Sequence, residues 1–350
     1  MSRSKFLLGL ALAGVAALAQ AGLPVPLERP ATVLRQVNQA ALLGLAQAGS
    51  RVVAVGERGA VLLSDDAGLS WRQAASVPVS VTLTAVQFVN ARTGWAVGHY
   101  GVVLKSEDGG EHWSRQLDGR GVAKLMLQDA QAHGSTKNQT EALRMVQEGA
   151  DKPLLTMHFV NEREGLVAGA FNILLQTLDG GATWQAIASR LDNPKVAHLY
   201  ALYRDGAQLL LVGEQGLLLH SADGGQHFER IATPYAGSYF GVTIEASGAW
   251  LVAGLRGNVL RSTDSGRSWT ALANPAPVSV TGLLRDTQGG QGTQAVWLAN
   301  QAGQLLTPEV GSNRLRLVRT SSSQQPASLL RLADGTLLMA GWNGIARVTP

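Results

Sequence analysis

Residues 55–71 read V-G-E-R-G-A-V-L-L-S-D-D-A-G-L-S-W. The first half is a strand, a tight turn between Gly56 and Gly59, and a second strand. The second half is S-x-D-x-G-x-S-W, carried by Ser64, Asp66, Gly68, Ser70 and Trp71. The unit returns with Ser106, Asp108, Gly110 and Trp113, then with Thr177, Asp179, Gly181 and Trp184. It returns again with Ser221, Asp223, Gly225 and Phe228, and with Ser262, Asp264, Gly266 and Trp269. Self-similarity at a period of about 40 residues marks an array of one supersecondary unit.

From the first Gly of the turn to the Ser or Thr of the second half is eight residues each time: 56 to 64, 98 to 106, 169 to 177, 213 to 221 and 254 to 262. The same ruler finds two decayed copies, Ala299 to Thr307 and Gly341 to Thr349, which makes seven. In the first decayed copy Glu309 and Gly311 stand where the others have Asp and Gly. The chemistry of the second half is that of a turn. An Asp carboxylate accepts bonds from nearby backbone N–H groups, and Gly supplies positive φ without strain. The aromatic residue then buries its ring between neighbouring units.

Alternating or wholly apolar runs of four to seven residues, bounded by Gly, Asp and Asn, read as strands. The second copy gives strands at 83–89, 94–97, 102–105 and 113–116. First strands elsewhere fall at 40–46, 154–160, 199–203, 239–244, 278–284 and 327–332. Seven four-stranded antiparallel units make an all-β, seven-bladed propeller. The last unit ends without a fourth strand, and 31–37 is the spare run expected to close that blade. Gly98 to Gly169 is 71 residues where the other intervals run 41–45. The excess, 118–152, reads as a helical hairpin with helices at 122–132 and 136–148. Gly134 and Gly149 are its stops, and Thr136 with Gln139 forms a capping box.

Residues 1–21 carry Arg3 and Lys5, an apolar run and A-Q-A before Gly22. This is the pattern of a secretory signal. The expectation is export to the periplasm, and a mature chain from 22 to 350 that forms one propeller and acts as a monomer. The formal charge of +4 falls to +2 once Arg3 and Lys5 are removed, too balanced for a nucleic-acid binder. With no Cys, disulfides, thiol nucleophiles and a lipid anchor through Cys are excluded. The seven His show no H-x-H or H-E-x-x-H spacing, so no metal or cofactor site is expected.

Topology sorts the loops onto two faces. Turns between second and third strands share one face with the connections between units, including the helical insertion. The Asp-containing turns lie on the other. The residues between the paired glycines are Glu57/Arg58, His99/Tyr100, Ala170/Phe171, Glu214/Gln215, Leu255/Arg256, Asn300/Gln301 and Trp342/Asn343. Such a ring of arginines, aromatics and amides has the composition of a protein-binding surface. Arg120, which opens the insertion, joins that set.

The S-x-D-x-G-x-[ST]-W units resemble the Asp-box, or BNR, repeats of sialidase-like propellers. V-G-E-R-G-A-V-L-L-S at 55–64 and G-W-A-V-G-H-Y-G-V-V-L-K-S-E-D-G-G-E-H-W at 94–113 are similar to the photosystem II stability/assembly factor family. That resemblance implies a non-enzymatic propeller on the lumenal or periplasmic side of a membrane. It also implies an Arg-rich surface that meets a membrane protein complex, to which Arg58 and Arg256 correspond. The chain departs from the family in lacking the Cys of lipid-anchored members and in its helical insertion. The alternative is a sialidase-like glycosidase or glycan binder, which needs three arginines on one site and a Tyr activated by Glu. The tips offer two arginines, Glu57, Glu214 and Tyr100.

Overall fold

The computed structural model describes residues 25–286, 295–319 and 325–349, so the signal-like segment 1–21 lies outside the described residues. Seven antiparallel sheets follow one another along the chain. Blade one is Leu42–Ala48, Arg51–Gly56, Val61–Ser64 and Arg72–Gln73; blade two is Leu83–Phe88, Gly94–Gly98, Val103–Ser106 and Ser114–Leu117. Blades three to six repeat the order from Leu154, Leu199, Tyr239 and Val280. Blade seven is Pro326–Arg331, Leu337–Gly341 and Gly344–Val348. The first strands of neighbouring blades stand side by side around the ring, with blade one against blade seven.

Stacking explains the run of apolar residues in each second strand. Gly94–Gly98, Gly165–Gly169, Trp250–Gly254 and Leu337–Gly341 are buried at every position, because both faces of the blade meet another sheet. Trp95 stacks on Phe159 of blade three at 3.7 Å between ring centroids, and Gln87 exchanges two hydrogen bonds with the Phe159 backbone.

The Asp boxes have one wiring. Ser64 Oγ donates to Asp66 Oδ1 (2.8 Å) and accepts from Gly68 N (2.7 Å). Asp66 accepts from Ser70 N and Ser70 Oγ, and Trp71 Nε1 donates to Gly68 O. Asp108, Asp179, Asp223 and Asp264 likewise accept from the Ser or Thr hydroxyl two residues before and from the N–H four residues on, with His112 and His227 Nδ1 in the place of the Ser70 hydroxyl. Trp113 is 5 % exposed and meets Phe88 edge-on at 5.9 Å. At three junctions the chain leaving one blade bridges the box of the next, as Ser76 does with His112.

Two expectations are corrected here. Residues 31–37 form no strand, and the sheet of blade seven has three strands among the described residues. The N–H groups of Ala31, Thr32 and Leu34 donate to Val77 O, Arg58 O and Gln73 Oε1 of blade one, so they are not free to build a ladder. Leu34 and Val37 instead pack beside Leu338 and Ile345 at the seam. The second correction concerns the hairpin. Its first helix starts earlier, at Gly119–His133, capped by Asp118, and Ser135 rather than Thr136 caps the second, Thr136–Glu148. These helices are called α1 and α2 below.

Truncating Trp113 to Ala should lower the unfolding free energy by about 3–5 kcal/mol, read from a denaturant titration. A second outcome concerns acid. Hydrogen bonds from Ser70, Thr183 and Ser268 hold the carboxyls of Asp66, Asp179 and Asp264 down to about 2. The unfolded chain therefore takes up these protons first, and stability should fall as pH drops from about 4 to about 2. Replacing all three with Asn should flatten that part of a thermal-midpoint profile.

Candidate functional site

The face opposite the Asp boxes is built from the turns between second and third strands. Each turn is locked by a close approach. The N–H of Glu57 donates to Ala41 O, that of His99 to Thr82 O, and that of Leu255 to Ser238 O, at 2.8–3.0 Å. A Cβ on the preceding Gly56, Gly98 or Gly254 would lie 2.0–2.2 Å from that same carbonyl oxygen. Glycine is needed there for space, since its φ is extended. The tip then enters the left-handed region at Arg58, Tyr100, Phe171, Gln215 and Arg256, with φ of 53–58°. Non-glycine residues in that region cost about 1–3 kcal/mol each.

Arg58, His99, Tyr100, Phe171, Gln215, Arg256, Trp342 and Asn343 are all exposed. Trp342 is 55 % exposed, in a turn of only two residues. The guanidinium groups of Arg58 and Arg256 have no ion-pair partner among the described residues. Glu57 is half-buried beside Arg58. Arg120 stands near Glu28 of the N-terminal segment at 3.7 Å.

Asn300 does not belong to this ring. It pairs with Val280 as Gly56 pairs with Leu42, so it occupies the place of the first Gly, and the eight-residue ruler is off by one in that copy. Its side chain is fully buried and accepts from Ala302 N and Gln304 N. The tip of blade six is therefore Gln301 and Ala302.

Glu214 is half-buried and binds inward. It accepts from His198 N (3.0 Å) and from Tyr200 OH (3.2 Å). Burial first, and then the charge of Glu214, push the Tyr200 hydroxyl up to about 12. Phe171, His198, Tyr200 and Phe240 follow one another at 4.6–6.3 Å between centroids, across blades three to five. Sequence reasoning missed Tyr200, because cross-strand proximity brings it to Glu214 and no local motif marks it.

The helical insertion covers one sector of the same face. α1 packs on the blade-two turn, where a Cβ on Gly101 would lie 2.6 Å from Gly119 Cα. Asp129 accepts from Ser189 N (2.8 Å) and Oγ (2.6 Å), and Lys137 Nζ donates to Pro194 O. These bonds fix the hairpin to the connection between blades three and four. Between hairpin and blade three is a cleft of about 270 Å³ whose walls include Met126, Met145, Phe171 and Lys152. Among the described residues no group of three His, Asp or Glu could hold a metal ion, and no helix is long and apolar enough to cross a membrane.

The fold and its repeats define a seven-bladed Asp-box propeller with a partly roofed face. Residues 135–296 match the family described as photosynthesis system II assembly factor YCF48. The photosystem II assembly lipoprotein Ycf48 of Synechococcus sp. (strain CC9902) is 31% identical over 77 residues, which is 22% of this chain and 23% of that protein. The alignment thus spans about a quarter of the relative's length. The solved structure of YCF48 bound to D1 peptide superposes with a TM-score of 0.65 at 17% identity, covering 91% of this chain and 98% of that one. YCF48 from Cyanidioschyzon merolae gives 0.63 at 15%, covering 91% and 97%. A GH74 xyloglucanase from Xanthomonas campestris gives 0.64 at 13%, covering 90% and 52%. At such identities the structural likeness is one of fold alone. The likeness in sequence to photosystem II assembly factors rests on the two sequence matches, each over less than half of the chain.

Replacing Arg58 or Tyr100 with Gly should leave the thermal midpoint unchanged or raise it, because the left-handed strain is relieved. Gly98→Ala should lower stability by about 1–3 kcal/mol through the forced clash with Thr82 O.

Proposed function

We propose that this chain is a non-enzymatic, exported propeller that binds a segment of a membrane protein and serves as an assembly factor or accessory scaffold for its complex. The observation that carries this reading is the tip face. It presents two unpaired guanidinium groups and three large exposed rings, Tyr100, Phe171 and Trp342, on turns whose backbone is fixed. Arginine and aromatic side chains dominate the energetics of protein interfaces. The likeness to YCF48 proteins, one of them solved with D1 peptide, agrees with a peptide-binding role. Export is supported by the N-terminal sequence pattern.

Tyr200 beside Glu214 gives the glycosidase reading one concrete feature. It is the weaker reading. A hydroxyl pushed up to about 12 stays protonated at neutral pH, and the arginines of the tips stand on blades one and five.

The test is capture of membrane proteins from detergent extracts of the source cells by immobilised residues 22–350. A protein retained by the natural chain and lost from the Arg58→Glu, Arg256→Glu double variant is the expected result. Identical capture by both chains, or sialoside hydrolysis abolished by Tyr200→Phe, would overturn the proposal.

A further inference from the structure

We propose that the cleft beneath the helical hairpin receives an apolar side chain of a bound peptide, with a lysine or arginine of that peptide set against the cleft's rim. The inference rests on the reading of this face as protein-binding, and adds to it a specific pocket and a sequence preference.

Much of the wall is apolar. Met126, Ala130, Ala142 and Met145 of the two helices are each 8 % exposed or less. They face Phe171, which is 40 % exposed at the tip of blade three. Methionine side chains are flexible and polarizable, and they adapt to apolar groups of different shape. A space of about 270 Å³ holds one large side chain with room for its neighbours. Because Phe171 belongs to both the tip ring and the cleft, a peptide lying across the tips reaches the opening without a detour.

One wall is held rigid. Lys152 is 8 % exposed, with Nζ 2.5 Å from Glu148 Oε2, 2.9 Å from Asp151 Oδ2 and 4.9 Å from the Phe171 ring centroid. Arg144 binds the other oxygen of Glu148 at 2.6 Å. Both cations of the cleft are therefore already paired.

The charge balance selects the ligand. Asp129, Glu141, Glu148 and Asp151 line the cleft against Arg144 and Lys152, an excess of two negative charges. The Glu141 carboxylate accepts no hydrogen bond among the described residues, and its side chain is exposed on α2. A cation placed beside Glu141 gains attraction at little desolvation cost. A phosphate or an acidic peptide meets repulsion there. This is the opposite preference to that of Arg58 and Arg256, so the face reads two signs of charge at two places.

The test uses residues 22–350 carrying 13C-methyl methionine. Met126 and Met145 report on the cleft, and Met339, fully buried in blade seven, serves as the reference. The probes are the capped peptide Gly-Lys-Leu-Phe-Lys-Gly and its analogue with Glu in place of both Lys. The lysine peptide should shift Met126 and Met145, leave Met339 in place, and bind about tenfold more tightly than the glutamate analogue. Glu141→Lys, an exposed change that spares the fold, should shrink that ratio several-fold. Silence of both cleft methionines at millimolar peptide, equal binding of the two peptides, or movement of Met339 alongside them would overturn the cleft assignment. The partner-capture experiment stands apart from this one. Capture that survives a silent cleft discards the cleft alone, whereas a cleft that binds with no membrane protein captured discards the assembly role.

Discussion

Five of the blades share a hydrogen bond made across a missing side chain. The tip residue after the second strand donates its N–H to the carbonyl ahead of the first strand, as in Glu57 to Ala41 and His99 to Thr82. In blades one to five the intervening residue is Gly, whose bare Cα lets that carbonyl approach, and in blade six the bond from Gln301 N to Ser279 O forms across Asn300. The contact ties the innermost strand of the blade to the turn on its partner face. A register shift lies at the start of the first strands, for example between Leu42 and Gly44. The tips therefore inherit their positions from the ring.

The opposite face is held by different chemistry. There a carboxylate gathers the N–H and O–H groups of its own loop and seats an aromatic ring against the preceding blade. Side chains close one end of each blade and backbone closes the other. This division leaves the side chains of the tip face available for recognition. At the seam, blade seven meets blade one through packing and a few bonds, such as Leu45 N to Ser328 Oγ, with no shared strand among the described residues.

The fold was legible because the eight-residue spacing and the boxed Asp are local, and local signals survive in one sequence. The helical hairpin was legible from its interruption of the period. The failures have physical causes. Asn300 takes a place where every complete copy has Gly, and its amide satisfies the turn from within, so counting glycines shifted the register by one. Residues 31–37 are apolar enough for a strand, but nothing in their composition shows that blade one claims their N–H groups. The exposed tips could be named from the paired glycines. The cleft could not, since Asp129 meets Ser189 and Lys152 meets Phe171 only after the hairpin has docked.

The left-handed tips bear on how such a protein changes over time. Their geometry is written in backbone bonds and in glycines that flank them, and no tip side chain helps to hold its own turn in blades one, two and five. Residues 58, 100 and 256 can thus be exchanged one at a time without disturbing the boxes on the far side. The ring works as a display frame with separately addressable positions. On the binding role proposed above, a lineage could retune its partner through these positions while the frame stays as it was.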